Sequence, residues 1–91
     1  MKAEVAEWKV YVLRCSDDTF YTGICLDLPR RLNEHNHSNE LGARYTRTRR
    51  PVTVVYQEAV MSRSAAAKRE HQIKTLTRAQ KAELINGTRQ A

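Results

Sequence analysis

The sequence is poor in the residues that hold disulfide-bonded or zinc-bound small domains together. It has two cysteines, Cys15 and Cys25, whereas a small secreted domain held by disulfides usually carries four or more. We therefore expect both thiols to be reduced and simply packed. The histidines, His35, His37 and His71, stand beside no second cysteine pair at zinc-ligand spacing. A zinc fold is therefore not expected.

Long apolar runs are also missing. No stretch approaches the roughly 20 apolar residues of a membrane-spanning helix, and the first residues, "MKAEVAEWK", lack the apolar centre of a signal peptide. We expect a soluble, cytoplasmic protein with no membrane partner. A chain of 91 residues suffices for one domain, with its core between about residues 8 and 85. The sequence does not fix the oligomeric state, and a monomer is the expectation.

Acidic residues are too few to balance the basic ones. The 16 lysines and arginines face 10 aspartates and glutamates, so the formal net charge is +6 and the pI is near 9.8. Basic side chains release counterions from phosphates, which supplies most sequence-independent affinity for nucleic acids. The composition therefore favours a nucleic-acid partner, with an acidic membrane surface as the competing possibility.

The first half of the chain predicts a hairpin and a helix. Residues 8–15 and 20–25 mix β-branched and aromatic side chains around a turn-rich "SDDT". Asp27 is placed to cap a helix through "LPRRLNEHN". Residues 37–50 lack a sustained period and predict an irregular basic loop, and a third strand should begin just after Pro51.

The second half predicts two helices. The first begins near Ser62 or Ser64 and runs through "AAAKREHQIKTL". Thr77 and Gln80 fit a capping box, and Gly87 fits the end of the second helix. The order β-β-α-β-α-α indicates an α+β fold. We expect a three-stranded antiparallel sheet with helices on one side and the other face open.

Four chemically active side chains follow one another at regular spacing. Tyr21 comes ten positions after Tyr11, Arg31 ten positions after Tyr21, and His35 one helical turn after Arg31. The tyrosines share a sheet face only in a suitable hairpin register. A three-residue loop would pair Cys15 with Tyr21 and put both tyrosines on one face, with Tyr11 about 13 Å further along its strand.

This ordered set resembles the GIY-YIG nuclease domain. "VYV" around Tyr11 and "YTG" at 21–23 stand for the two tyrosine motifs, Arg31 lies in the following helix, and Glu70 in "AKREHQIK" stands for the carboxylate. The resemblance covers nearly the whole chain. Its departure is "KVY" in place of "GIY", which lacks the glycine.

The resemblance implies a Mg²⁺- or Mn²⁺-dependent endonuclease that hydrolyses DNA phosphodiester bonds. Arg31 would contact the scissile phosphate, Glu70 would hold the metal ion, and a tyrosine would position or deprotonate the attacking water. Because the pKa of tyrosine is about 10, nearby cations would have to lower it, or His35 would have to share the proton. Tyr11 is the favoured base and Tyr21 the ligand of water and phosphate, with the reverse assignment open.

The basic segment after the helix predicts the nucleic-acid surface. Arginines alternate there with a tyrosine and threonines, as on a surface that follows phosphates and stacks a base. Lysines near Glu70 would extend the positive field. The predicted nucleic-acid-binding residues are Arg44, Tyr45, Arg47, Arg49, Arg50, Lys68 and Lys74.

The sequence is compatible with three functions. The first is an endonuclease acting on DNA structure or damage, as in DNA repair, because so small a chain has little room to read a long site. The second is a nucleic-acid-binding module without catalysis, which metal-dependent turnover would exclude. The third is an adaptor for a repair protein.

Overall fold

The structure, a computed structural model, describes residues 7–88 and has a three-stranded sheet with helices. The strands are antiparallel in the order β2-β1-β3. This confirms the α+β class and the predicted sheet. The elements along the chain are β1 (Trp8–Arg14), β2 (Phe20–Cys25), α1 (Leu28–His37), α2 (Arg44–Arg47), β3 (Thr53–Val60), α3 (Arg63–Lys74) and α4 (Arg78–Thr88).

Local capping explains where the longer helices begin. The Asp27 carboxylate accepts the first-turn N–H of α1, which tolerates Pro29 because the ring removes a donor that has no partner there. Ser62 caps α3 in the same way. Thr77 and Gln80 exchange hydrogen bonds of 2.9 and 3.1 Å before α4, which confirms the capping box.

Two predictions about helices are wrong. The basic segment contains a one-turn helix, α2, where an irregular loop was expected, because its backbone N–H groups find the carbonyl of Ala43. Helix α4 continues through Gly87 to residue 88. Nothing lies within 4 Å of the position of a Cβ at Gly87, so no close approach explains this glycine. Among the helices of residues 7–88, none combines the length and apolar character that crossing a membrane requires.

Both faces of the sheet are covered, so the expectation of an open face is wrong. In β1 the four consecutive residues 10–13 are all buried, as in a strand packed on two sides. Helix α1 covers one face, called here the α1 face, and helices α3 and α4 cover the other, called the α3 face. Buried on the α1 face are Tyr11, Leu13, Cys15, Leu28 and Val52; buried on the α3 face are Val10, Val12, Tyr56, Ala66, Ile73 and Ile85.

The hairpin register puts both tyrosines on the α1 face. Leu13 pairs with Tyr21, and the loop between the strands closes through a 2.8 Å hydrogen bond from Cys15 N to Thr19 O. The predicted pairing of Cys15 with Tyr21 is therefore wrong by two residues, but the parity is unchanged. Tyr11 lies only two positions, about 7 Å, from the residue opposite Tyr21. The tyrosines are diagonal neighbours, closer than expected.

Candidate functional site

The ring of Tyr11 lies across the neighbouring strand. Gly23, its pairing partner in β2, leaves the room for it, because a Cβ at Gly23 would lie 2.5 Å from the Tyr11 hydroxyl oxygen. Any side chain at this position would collide with that hydroxyl. The glycine of "YTG" therefore places the tyrosine of the other motif.

His35 is the centre of a buried polar cluster between four elements. It is fully buried on α1, and its Nε2 lies 2.9 Å from the Tyr11 hydroxyl. Its Nδ1 lies 2.9 Å from Oγ1 of Thr46, which is also fully buried on α2. The Tyr21 ring contacts the His35 ring edge-on at 5.2 Å between centroids. The sheet, α1 and α2 thus meet at one imidazole.

The environment of this cluster keeps both Tyr11 and His35 uncharged at neutral pH. Burial, together with the smaller effect of the Arg31 guanidinium, lowers the pKa of His35 to about 4. Burial raises the pKa of Tyr11 well above its ordinary value of 10, although Arg31 beside the hydroxyl opposes this rise. Of the two alternatives left open, lowering of the tyrosine pKa by cations is outweighed by burial at Tyr11. A proton shared with neutral His35 is the alternative that the geometry provides.

Arg31 is held in place by the chain itself. Its Nη1 donates to Oε1 of Glu34 at 2.8 Å and to the carbonyl oxygen of Leu41 at 2.6 Å. The guanidinium beside Glu34 holds the pKa of that carboxyl below its usual range. A phosphate that binds Arg31 has to share it with this carboxylate. The Arg31–Glu34 spacing of one helical turn was visible in the sequence, but nothing marked Glu34 as a partner.

The aromatic surface continues from Tyr21 to Tyr45. The two rings stack at 6.0 Å between centroids, and the Arg49 guanidinium lies 3.9 Å from the Tyr45 centroid. Arg49 is itself fixed by an ion pair of 3.1 Å with Asp17. The Tyr45 ring thus has two neighbours already, and a stacked base would have to displace one of them or extend the stack.

The arginines of the basic segment are not equivalent. Arg50 clamps the end of α1, because its Nε donates to the carbonyl of His35 at 2.6 Å. Arg47 donates to a carbonyl beyond α1 at 2.8 Å, and Arg49 is paired as described. Arg44 is exposed, and its side chain makes no hydrogen bond or ion pair within residues 7–88. Arg44 is the arginine most available to a phosphate.

A second clamp joins α1 to β3. The Asn36 side chain accepts from the N–H of Val52 at 2.8 Å and donates to its carbonyl at 3.0 Å. Together with Arg50, it fixes the helix that carries the histidine against the sheet. Asn36 and Thr46 were not predicted from the sequence, since their partners are set by packing between separate parts of the chain. Glu34 was not predicted either, although its partner lies on the same helix.

Glu70 lies apart from the other predicted catalytic residues. It sits on α3 between the buried Ala66 and Ile73, with its side chain 24% exposed and 3.3 Å from Lys74. Helix α3 covers the α3 face, so the structure gathers four predicted residues on the α1 face and not the fifth. The four are Tyr11, Tyr21, Arg31 and His35.

A groove at the edge of the sheet links the two sides. It has a volume of about 240 Å³ and exposes part of Tyr21 next to Lys74, the ion-pair partner of Glu70. Lys68 is exposed elsewhere on α3 and lines a different groove. The residues lining the edge groove are Phe20, Tyr21, Thr22, Tyr45, Lys74 and Lys81.

A divalent metal ion such as Mg²⁺ needs oxygen ligands from the protein, from water or from the substrate. Within residues 7–88, no group of three or more histidine, cysteine, aspartate or glutamate side chains is arranged to hold an ion. Glu70 offers one carboxylate. Mg²⁺ keeps several waters and commonly binds through one or two carboxylates together with substrate phosphates. The single carboxylate of Glu70, next to the groove-lining Lys74, fits that mode, provided that Lys74 yields its ion pair.

Comparison with known proteins gives a family and close relatives. The model of the GIY-YIG catalytic domain matches residues 7–83. UPF0213 protein DP2720 of Desulfotalea psychrophila is 49% identical over 81 residues, 89% of this chain and 73% of that protein. A UPF0213 protein of Syntrophus aciditrophicus is 53% identical over 76 residues, 84% of this chain and 86% of that protein.

A solved structure is similar over the full length. The solution structure of protein EF2693 from E. faecalis matches with a TM-score of 0.65 and 39% identity, covering 100% of this chain and 94% of that one. Neither its name nor those of the two sequence relatives states a substrate. What this chain acts on has to be argued from its own residues.

Proposed function

Because the chain belongs to the GIY-YIG family, whose domain implies a function of the nuclease type, we propose that it is an endonuclease hydrolysing DNA phosphodiester bonds with Mg²⁺ or Mn²⁺. The observation that carries the proposal is the buried hydrogen bond of 2.9 Å between Tyr11 and His35. Tyr21 and Arg31 flank this pair. A hydroxyl, a neutral imidazole and a guanidinium together supply proton transfer and charge for phosphate hydrolysis.

The proton path runs through neutral groups. A water that attacks phosphorus gives its proton to the Tyr11 oxygen while Tyr11 gives its own to Nε2 of His35. No free phenolate forms beforehand, so the raised pKa of Tyr11 does not block the step. His35 serves because its lowered pKa keeps the acceptor nitrogen free at neutral pH.

Access to Tyr11 depends on Arg31. Tyr11 is only 1% exposed in the free protein, whereas Tyr21 is partly exposed at the edge groove. Arg31 lies beside the Tyr11 hydroxyl, so movement of its guanidinium toward a bound phosphate would let water reach the hydroxyl. Tyr21 would then hold the water and the phosphate. Comparison of Tyr21→Phe with Tyr11→Phe distinguishes these roles from the reverse assignment.

Glu70 is proposed as the residue that holds the metal ion. A bound Mg²⁺ or Mn²⁺ would supply positive charge to the phosphate and to the departing oxygen. Lys74 keeps the carboxylate next to a cation in the free protein. The edge groove, which Lys74 and Tyr21 both line, is the route by which a phosphate could meet both sides of the site.

The proposed target is DNA of unusual structure or with damage, as in DNA repair, rather than a defined sequence. Exposed Arg44 and the lysines of the edge groove suit phosphates, which carry no sequence information. A cytoplasmic location and a monomeric state stay predictions.

The decisive experiment replaces Glu70 with glutamine. Glu70→Gln keeps the size of the side chain but substitutes a neutral amide for a hard anionic ligand, so nicking of supercoiled plasmid with Mg²⁺ should be lost. Affinity for the same DNA in a gel shift should stay equal or rise slightly, because one negative charge is gone. Glu83→Gln is the matched control, because Glu83 is exposed on α4, and this variant should cut like the parent. Cleavage by Glu70→Gln at the parental rate would disprove the assignment.

A second candidate, a nucleic-acid-binding module without catalysis, is favoured by one observation. Glu70 lies across the sheet from Tyr11 and is already paired with Lys74. If supercoiled, linear, single-stranded and branched DNA are all bound but none is cut with Mg²⁺ or Mn²⁺, this second function is the correct one.

A further inference from the structure

The hydroxyl of Thr46 stands between two possible partners. It donates to the carbonyl oxygen of Ala43 at 3.0 Å, and its oxygen lies 2.9 Å from Nδ1 of His35. Thr46 is fully buried, so no solvent competes for the hydroxyl. A hydroxyl has one proton to donate and two lone pairs that accept.

This single proton decides the state of the imidazole. Since the Thr46 proton is directed to Ala43, its oxygen can only accept from His35, and Nδ1 must carry the hydrogen. A neutral imidazole has one N–H, so Nε2 is bare. The bond between Nε2 and the Tyr11 hydroxyl then has a definite direction, with Tyr11 as the donor.

We propose that Thr46 is a positioning residue that holds His35 in the Nδ1–H tautomer and thereby directs the proton of Tyr11 toward His35. This explains why a four-residue helix is kept in the basic segment: the turn that begins at Ala43 supplies both the carbonyl and the hydroxyl. The tautomer is a property of the free protein. Its catalytic use rests on the proposed function.

The proton balance of the relay is complete. Water gives one proton to Tyr11, Tyr11 gives one to Nε2 of His35, and the resulting imidazolium keeps its Nδ1–H bonded to Thr46. Tyr11 ends as it began, the water oxygen forms a bond to phosphorus, and the bond from phosphorus to the departing oxygen breaks. The departing oxygen takes up a proton from solvent and His35 releases its own, which returns the relay to its starting state. The Thr46 oxygen accepts from the Nδ1–H of His35, and the Thr46 hydroxyl donates to the carbonyl of Ala43. The partial negative charges of these two oxygens face the imidazolium and stabilise it.

The tautomer can be observed directly by ¹⁵N NMR of the imidazole at pH 7, with the His35 signals identified from their absence in His35→Gln. We expect a protonated Nδ1 and a bare Nε2 in the parent protein. Thr46→Val removes the acceptor, so the hydrogen should move to Nε2, where the Tyr11 oxygen can accept it. Thr46→Ser keeps the hydroxyl and should keep the parental tautomer.

The same variants give a kinetic measurement. Thr46→Val should lower the single-turnover cleavage rate ten- to a hundredfold, the range for a residue that orients a catalytic group, with DNA affinity unchanged and Thr46→Ser close to the parent. A parent protein with the hydrogen on Nε2 overturns the proposal, as does Thr46→Val with an unchanged tautomer. If Thr46→Val does not fold, the parent and Thr46→Ser spectra decide.

Failure of the proposed function is distinguishable from failure of this inference. A protein that cuts no DNA but has the Nδ1–H tautomer refutes the nuclease and leaves the role of Thr46 in place. A protein that cuts DNA and carries the hydrogen on Nε2 does the opposite.

Discussion

The two faces of β1 are built from one strand but with different chemistry. On the α3 face, Val10 and Val12 are fully buried against apolar side chains of α3 and α4. On the α1 face, Tyr11 is buried next to two fully buried polar residues, His35 and Thr46. One face is an ordinary core, and the other contains a hydrogen-bonded chain.

This difference separates residues that stabilise the fold from residues to which the proposed function assigns a chemical role. Burying a polar group costs free energy unless it is paired, and a paired group is seldom better than an apolar one of equal size. Within residues 7–88, no buried side-chain polar atom lacks a hydrogen-bond partner. The α1 face bears the cost of a satisfied polar network that stability alone does not require.

Substitutions on the two faces of β1 should therefore fail in opposite ways. Tyr11→Phe removes the hydroxyl of the relay and should slow single-turnover cleavage by about 10²- to 10⁴-fold, with DNA affinity unchanged. Val12→Ala should lower the free energy of unfolding by about 2 kcal/mol while the rate per folded molecule stays parental. Plasmid nicking and urea unfolding measure the two quantities.

Tyr21→Phe completes this experiment. If it slows cleavage more than Tyr11→Phe does, the roles of the tyrosines are reversed. If Val12→Ala reduces the rate of folded protein as strongly as Tyr11→Phe, the separation between the faces does not hold.

The buried histidine should make stability depend on pH. The pKa of His35 is about 4 in the folded protein and 6.5 in the reference chain, so the unfolded state binds the extra proton. Stability from this residue is complete above about pH 6.5 and is lost as the pH falls toward 4, by about 3 kcal/mol in total. Urea unfolding of the parent and of His35→Gln across this range measures the effect. The difference between the two proteins in how the free energy of unfolding changes with pH is the contribution of His35. If the free energies of unfolding of the two proteins change with pH in parallel, His35 is not buried in its neutral form.

Two glycines test the crowding on the α1 face. Gly23→Ala puts a methyl group against the Tyr11 hydroxyl, which should lower stability by about 1–3 kcal/mol and reduce cleavage through displacement of the ring. Gly87→Ala, in a helix with open space around the site, should raise stability by about 0.5–1 kcal/mol and leave cleavage unchanged. Thermal unfolding with nicking assays compares them. Equal behaviour of the two variants would mean that Tyr11 does not need the space above Gly23.

The sequence predicted the elements well because their signals are local. Segments that mix β-branched and aromatic residues marked the first two strands. Asp27, Ser62 or Ser64, and Thr77 marked helix starts, since a cap acts within four residues. The short helix α2 was not predicted because contacts with α1 help to stabilise it, such as the 2.9 Å hydrogen bond between Thr46 and His35. No sequence pattern within residues 37–50 predicts these contacts.

The site was predicted only as far as order along the chain determines geometry. Tyr11, Tyr21, Arg31 and His35 lie on consecutive elements of a hairpin and helix, so their spacing brought them together. Glu70 follows a third strand, and the face on which its helix packs depends on how that strand crosses the sheet. Four apolar residues in a row in β1 were the available sign that both faces are covered.

The smallest expected effect compares one exposed arginine near each face. Arg44 lies beside the site and is unpaired within the described residues, whereas Arg63 lies on α3 over the Trp8 ring at 5.7 Å. If phosphates follow the α1 side, Arg44→Ala should lower the slope of log affinity against log salt by about 0.9, the contribution of one contact with duplex DNA. Arg63→Ala removes the same charge but no contact with a phosphate, so its slope should stay parental. Gel-shift titrations at several salt concentrations measure both slopes.

Because the two variants have the same net charge, a general electrostatic effect would change both slopes alike, and only a difference between them locates the DNA. Equal slopes would mean that Arg44 binds no phosphate and that the DNA follows another surface, the edge groove with Lys74 and Lys81 being the next to test.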